Sequence, residues 1–521
     1  MPYDGVDQIL ITLGRRGFYG LRNRELIPTD GLVTLRNATL EDQTARIGPG
    51  AAIVGSAIAA GLVIQAAIDY WPDPDTQRTL VSVGDGTLRK DNGAGAGWVT
   101  LASGLTTSGQ VPMWVVAGAE LAGLSRKAFH VDRVNAIRVL AADGASVAAI
   151  ARGLPEWTGS TQPAWLVQAQ GYLWAGGLAS FPTALYRSLL DDHEDFLTRP
   201  YILFVDGRIE RTTAGLPYKG GLLVWGFPEG LWWVDLRDAN AALWTVRQIG
   251  SAGMAGPLNA TPTENDVLYV DPTGGWHLVY LVGPEQSPRV SDVTQRQLGR
   301  WFRDNVNRAQ LHLAQLAWDG TTQAAHLACA GQGQTQKNRR VVLDLALRDE
   351  QGRGERWSYW DADRNESLFL RKISGVPTLH MGDASGQIWR LDQAARNRNG
   401  SGYMFELFTR DTDFGEVSKK FRGRRKNLRF LQLLYDTQST GNVTVDVYHD
   451  GSRKQSVTFA LEPGPPVLPV TLPFILSDQA MLLSVRQRLT GQPTRVAFRI
   501  LSSQVNFDVS LAGLLVGLET T

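Results

Sequence analysis

Seven times between residues 78 and 392 the sequence follows one plan: an apolar or alternating run, a turn of Gly, Asp or Asn, then a second run that often carries Trp or Tyr. The segments are RTLVSVGDGTLRK around Gly86, KAFHVDRVNAIRVL around Val134, AWLVQAQGYLWA around Gly171 and LLVWGFPEGLWWVDL around Gly230. DVLYVDPTGGWHLVYL around Gly274, LAQLAWDGTTQAAHLA around Gly320 and PTLHMGDASGQIWRLD around Ser385 complete the series. Strand-forming residues flanking a turn that tolerates positive φ spell a β-hairpin. The turn centres lie about 50 residues apart on average, with steps of about 37 to 65, within the range of propeller-blade repeats. Further runs between them, GWVTLAS, PMWVVAGAE, TALYRSL, RRVVLDLAL and SLFLRK, extend each unit to about four strands. A lone twisted sheet of four strands cannot bury both faces. A closed ring of such sheets can, with large aromatics filling the wedges between neighbours. The fold class this predicts is all-β, a β-propeller of six or seven irregular blades. A pair of β-sandwich domains has the same strand spacing and is the rival architecture.

A helical period shows once, in SDVTQRQLGRWFRDNV, where Ser291 and Asp292 are cap candidates and Leu298, Trp301 and Phe302 form an apolar stripe. One short helix is expected there. After Asn399-Gly400-Ser401-Gly402 the alternation becomes stricter: NVTVDVYHDGSRKQSVTFAL, MLLSVRQRLTGQPTRVAFRIL and FDVSLAGLLVGL read as long amphipathic strands. His449-Asp450-Gly451 and Thr490-Gly491-Gln492 read as hairpin turns, and proline-rich EPGPPVLPVTLP from Glu462 as a loop or edge. The predicted division is an arm with strands over 1–75, available to pack with the C-terminal domain, a propeller over 76–400 and an antiparallel β-sandwich over 401–521.

The 521 residues suffice for a sizeable core. With 52 Lys+Arg against 51 Asp+Glu, no overall field draws the chain to nucleic acid or an acidic membrane, so any polyanion contact must be local. A single cysteine, Cys329 in AAHLACAG, excludes an intramolecular disulfide and a cysteine zinc cage, and alternation makes it a small buried hydrophobe. This suits a reducing cytoplasm. The opening MPYDGVDQIL lacks the basic-then-apolar run of a secretory signal. The uncharged stretch Ile47 to Ile68 is long enough to span a bilayer, but it is mostly Ala and Gly with Pro49 and Gln65 inside, and reads as one or two interior strands.

Two charge clusters are candidates for chemistry. LLDDHEDF, Leu189 to Phe196, could offer part of a hard-cation site. The other histidines fall singly in separate segments, no His-Glu-x-x-His spacing exists, and the run directly precedes a candidate strand. It reads as an exposed acidic connection, and no metal ligand is assigned. No Gly-x-Ser-x-Gly elbow occurs, and Gly-rich DNGAGAGW lacks the ending of a phosphate loop. No catalytic residue or cofactor is assigned, and the chain is not expected to be an enzyme. KKFRGRRK, with Lys419, Lys420, Arg422, Arg424, Arg425 and Lys426, is the candidate docking patch. It suits an acidic protein partner, a solvated strand edge or a phosphate backbone.

Several phrases resemble one family. LRNRELIPTDGLVTLRNATLEDQTARIGPG resembles the N-terminal segment of bacteriophage tail proteins. SVGDGTLRKDN, GLSRKAFHVDRVNAIRVLAADGA, YLWAGG with ALYRSLLDDHEDF, LLVWGFPEGLWWVDL and the helix SDVTQRQLGRWFRDNV resemble their blade-forming parts. The resemblance covers most of residues 10–400 and weakens beyond. The family is the nozzle, or tail-tube B-like, protein of short-tailed phages. It implies a virion component, assembled in the host cytoplasm as a homo-hexameric ring below the portal adaptor, enclosing the channel through which double-stranded DNA leaves. Needle or fibre proteins would be distal neighbours. In that setting the basic run would serve docking, since a conduit wall should not hold DNA tightly. A carbohydrate-binding or carbohydrate-cleaving propeller and a monomeric scaffold propeller are the alternatives.

Overall fold

A computed structural model describes residues 6–520 apart from 14–16, 21–26, 29–30, 42–43, 59–60, 94–96, 108–110, 119–125, 198–200, 205–207, 283–286, 294–297, 346–355, 362–364, 393–395, 438, 464–482 and 506. The chain forms two compact units: residues 1–52, 341–361 and 391–521 make one, and 53–340 with 362–390 the other. The sequence pattern places its boundaries at 75/76 and 400/401. Residues 53–75 fall in the larger unit because Ile64–Asp73 pairs with Thr76–Val83 as the first hairpin arm there.

In the larger unit, successive hairpins build seven antiparallel groups of strands, sheets 1 to 7 in chain order, of which sheet 6 is the start of a nine-stranded sheet. Sheet 1 holds Ile64–Asp73, Thr76–Val83, Leu88–Asp91 and Trp98–Ala102. Sheet 2 holds Met113–Ala117, Lys127–Val131, Arg138–Ala141 and Ala148–Ala149. Sheet 3 holds Trp165–Ala169, Tyr172–Gly176, Ala184–Arg187 and Tyr201–Leu203. Sheet 4 has Ile209–Tyr218, Gly221–Asp235 and Thr245–Ala252. Sheet 5 has Ala260–Pro262, Val267–Val270, Trp276–Val282 and Ser287–Asp292. Sheet 6 starts with Gln315–Asp319 and Ala324–Cys329, and sheet 7 with Ser367–Ile373, Val376–Gly382 and Ile388–Asp392.

Within sheet 4 the 15-residue strand Gly221–Asp235 doubles back on itself. A Cβ on Gly221 would lie 2.6 Å from the Val234 carbonyl oxygen, and one on Gly226 would lie 2.7 Å from that of Glu229. An extended strand would separate Gly221 and Val234 by about 43 Å. The fold-back lies at the cis Phe227–Pro228 bond, with Gly230 at φ +100° just after it. All seven hairpins read from the sequence are therefore present.

Each sheet shares an apolar cluster or a buried hydrogen bond with the next. Tyr70, Leu80 and Leu88 of sheet 1 pack with Trp114 and Leu140 of sheet 2. Phe129 and Val139 of sheet 2 meet Leu173 and Tyr186 of sheet 3. Trp165 and Trp174 meet Leu222 and Trp232, and Trp225 and Leu231 meet Val267 and Tyr269. Buried Trp165 is seated on two glycines, since a Cβ on Gly176 or Gly215 would come within 2.3 or 2.6 Å of its ring. From its typical buried area, each such tryptophan contributes about 5 kcal/mol of gross hydrophobic stabilisation. Leu316 donates its N–H to the Leu258 carbonyl at 2.8 Å, linking sheet 6 to the lead-in of sheet 5. Buried Gln315 of sheet 6 accepts from the Leu368 N–H of sheet 7 at 2.8 Å and donates to the Gln65 carbonyl of sheet 1 at 2.9 Å. Phe369 and Ile388 of sheet 7 pack with Ile64, Val81 and Val83 of sheet 1.

The helix spans Gly299–Asn305 and buries Phe302 against Gly274. It starts later than the caps predicted, because Ser291 and Asp292 pair as strand residues with Leu278 and His277. In the stretch from Ile47 to Ile68 the described residues include the strands Gly50–Val54 and Ile64–Asp73. Among the described residues no helix is long and apolar enough to cross a membrane.

The smaller unit has two sheets. One orders Ala38–Glu41, Thr44–Ile47, Val509–Thr520, Lys426–Thr437 and Leu483–Arg488, with Asp7–Thr12 also on Val509–Thr520. The other runs from Arg356–Asp361 through Leu32–Arg36, Phe405–Thr409, Val496–Ser502 and Gly441–His449 to Ser452–Leu461. His449-Asp450-Gly451 is a hairpin turn as expected. Thr490-Gly491-Gln492 is not, because Leu483–Arg488 pairs with Lys426–Thr437 while Val496–Ser502 pairs in the other sheet. The connection crosses between sheets, and Gly491 at φ +121° passes so close to the His449 ring that a Cβ would lie 2.3 Å from it. Most of the proline-rich segment, 464–482, lies outside the described residues.

Candidate functional site

The basic run begins as one turn of 3-10 helix, Lys419–Phe421, anchored by the buried Phe421 ring. Asp413 braces the loop by accepting the backbone N–H groups of Gly415 at 2.8 Å and Gly423 at 2.9 Å. Burial works against its charge, but those donors, with Lys426 and Arg495, hold the carboxyl below its usual range. The loop thus presents Lys419, Lys420, Arg422, Arg424 and Arg425 to solvent. Lys420 pairs with Asp7 at 2.5 Å. Lys419, Arg422 and Arg424 have no ion-pair partner among the described residues.

Lys426 departs from the predicted patch. It is fully buried, and its amine donates to the carbonyls of Arg424 and Thr494, each at 2.6 Å. Burial lowers its pKa against the pull of Asp413 and Asp450. As the first residue of a strand paired on both sides, it caps carbonyls and cannot offer its charge to a partner. The same pairing places the run at the head of an interior strand, not along a sheet edge.

The acidic octapeptide is less exposed than its composition predicts. Asp191 and Asp192 face solvent, whereas His193, Asp195 and Phe196 are buried. Asp195 accepts from the Leu197 N–H at 3.0 Å and from Arg152 at 2.6 Å, in that order the causes of its lowered pKa. Glu194 pairs with Lys127 at 2.6 Å. Arg152 and Lys127 belong to the sheet 2 region, so the segment tethers sheet 3 to sheet 2, and the run is a structural clasp. Among the described residues no three His, Cys, Asp or Glu side chains gather as a metal-binding group. Cys329 is buried and its thiol is pushed up to about 12 by burial.

Sequence reasoning missed a cavity of about 460 Å³ in the larger unit, lined among others by Arg133, Arg211, Thr213, Phe227 and Arg308. Among the described residues no carboxylate lines it. Arg211 and Phe227 face each other across two paired strands of sheet 4, while Arg133 comes from a turn of sheet 2 and Arg308 from the 3-10 helix Arg308–Leu313, so no local signal joins the three arginines. Arg133 sits at φ +71° in a turn that Asp132 holds by accepting the N–H groups of Val134 at 3.1 Å and Asn135 at 2.8 Å. Arg211 lies over the Phe227 ring at 4.2 Å.

No family model matches the chain, and no curated protein matches its sequence. Among solved structures it is similar to the crystal structure of the computationally designed Ika8 protein, at 10% identity and a TM-score of 0.35, over 65% of this chain and 99% of that one.

Proposed function

We propose that this chain is a structural subunit of a short phage tail, a nozzle protein that assembles into a hexameric ring around a DNA-ejection channel. On this reading the larger unit is a closed propeller of seven blades and the smaller a β-sandwich that forms the ring and docks to the portal adaptor and distal tail proteins. The observation that carries the reading is the family resemblance of the blade phrases over most of residues 10–400, each hairpin of which is a sheet here. Closure is supported by Gln315, whose side chain spans the first strands of the sixth, seventh and first sheets. The apolar cluster joining the last sheet to the first adds to it.

The function is geometric. A heterologous interface that closes by rotation makes a ring, and a rigid ring makes a conduit. Lys419, Arg422 and Arg424, exposed and without ion pairs among the described residues, suit a neighbouring subunit or adaptor of acidic surface. Reversing these three charges to Glu tests the docking role. Sedimentation should then report loss of the ring or of adaptor binding at unchanged thermal stability. Assembly and adaptor binding equal to wild type would remove the patch from the interface.

A further inference from the structure

The cavity of the larger unit has a composition that a structural wall does not require. Three arginines, Arg133, Arg211 and Arg308, line one space of about 460 Å³, with no carboxylate in the lining among the described residues. Nearby acids are otherwise committed. Asp132 holds its own turn and accepts the Asn135 side-chain amide at 2.7 Å, and Asp271, beside Pro272 of the lining, accepts from Thr273 and contacts His277 at 2.8 Å. Arg211 reaches only exposed Glu210, at 3.9 Å. Arg133 and Arg308 have no ion-pair partner among the described residues. Burial and the charge of Arg133 both disfavour the ionised form of Arg211, and exposed Glu210 offsets them only in part. A second observation is independent of charge. Thr213 lines the cavity, is 5% exposed, and its hydroxyl has no hydrogen-bond partner, whereas neighbouring Thr212 accepts from the Gly177 N–H at 2.9 Å. A buried hydroxyl without a partner costs stability unless something else satisfies it.

We propose that this cavity binds a small phosphomonoester, its phosphate held by Arg133, Arg211 and Arg308 and its organic part resting on Phe227, Pro257 and Pro272. Guanidinium forks match phosphate oxygens, and three of them supply more charge than a single carboxylate uses. A low-dielectric cleft lined by one sign of charge concentrates anions. The volume lies in the range of small-molecule pockets and exceeds the need of a bare inorganic ion. The site does not depend on the tail reading and would persist in a monomer.

Titration calorimetry of the full chain tests it, with glucose 6-phosphate and AMP as probes, and glucose, adenosine, inorganic phosphate and a 12-base-pair duplex as comparisons. At least one probe should bind at one site per chain, at least tenfold tighter than both its unphosphorylated counterpart and inorganic phosphate. R133Q/R308Q should weaken it at least tenfold at unchanged thermal stability, because both side chains are exposed. T213V, which keeps the side-chain shape, should weaken it without unfolding. The proposal is overturned if neither probe binds, if the unphosphorylated compound or inorganic phosphate binds equally well, if the variants bind like wild type, or if only the duplex binds.

Discussion

Acid should loosen this protein through buried histidines, His130 and His380 in particular. His130 of sheet 2 is 2% exposed, packs against Trp114 at a ring separation of 5.0 Å, and has neither ring nitrogen hydrogen-bonded. His380 of sheet 7 is fully buried, with Nδ1 against the Thr378 carbonyl at 2.9 Å and Nε2 unpartnered. Burial is the main cause that lowers each to about 4. The unfolded chain, with histidines near 6.5, then binds more protons than the folded one between pH 6.5 and 4, so stability rises with pH across that window. Full protonation of the unfolded state corresponds to about 3.4 kcal/mol per histidine, and at pH 5 about 2 kcal/mol of each has been lost relative to pH 7.5. Denaturant unfolding followed by tryptophan fluorescence at the two pH values reads this loss. H130F/H380F retains flat rings but cannot titrate, so it should lose about 4 kcal/mol less than wild type on going from pH 7.5 to pH 5. A double variant with the same pH dependence as wild type would refute the assignment.

Other perturbations separate packing from surface. Trp165→Ala empties the seat made by Gly176 and Gly215 and should cost about 3–5 kcal/mol in chemical denaturation. Gly86→Ala meets both a φ of +78° and the Leu105 carbonyl oxygen 2.3 Å from the new Cβ, so it should destabilise by more than about 1 kcal/mol and lower the melting temperature. Lys426→Met leaves the Arg424 and Thr494 carbonyls without their donor and should cost about 1–3 kcal/mol, whereas Arg424→Gln should stay within about 0.5 kcal/mol. Cys329 should resist a thiol reagent at pH 8 in the native protein and react promptly in denaturant.

The hairpins were legible because a turn and its two arms are neighbours in sequence, so alternation and turn chemistry state the pairing locally. Pairings set by distant partners were not. Thr490-Gly491-Gln492 has the residues of a hairpin turn, yet Leu483–Arg488 and Val496–Ser502 choose partners in different sheets. Ser291 and Asp292 have capping side chains, but pairing with Leu278 and His277 takes them first. Charge misled in a similar way. Lys426 and Asp195 read as solvated members of charged runs, while carbonyl acceptors in one case and Arg152 in the other let them be buried. The arginine-lined cavity left no trace, since a turn (Arg133), a strand (Arg211) and a 3-10 helix (Arg308) distant in sequence bring its three arginines together.

On the proposed reading these sheets make a wall element that acts only when copies close on themselves. Electron microscopy of the purified full-length protein, with its mass measured in solution, addresses it directly. Sixfold hollow rings of a mass near six chains are the expected result. A population that stays monomeric at every concentration, with no annular particles, would contradict it.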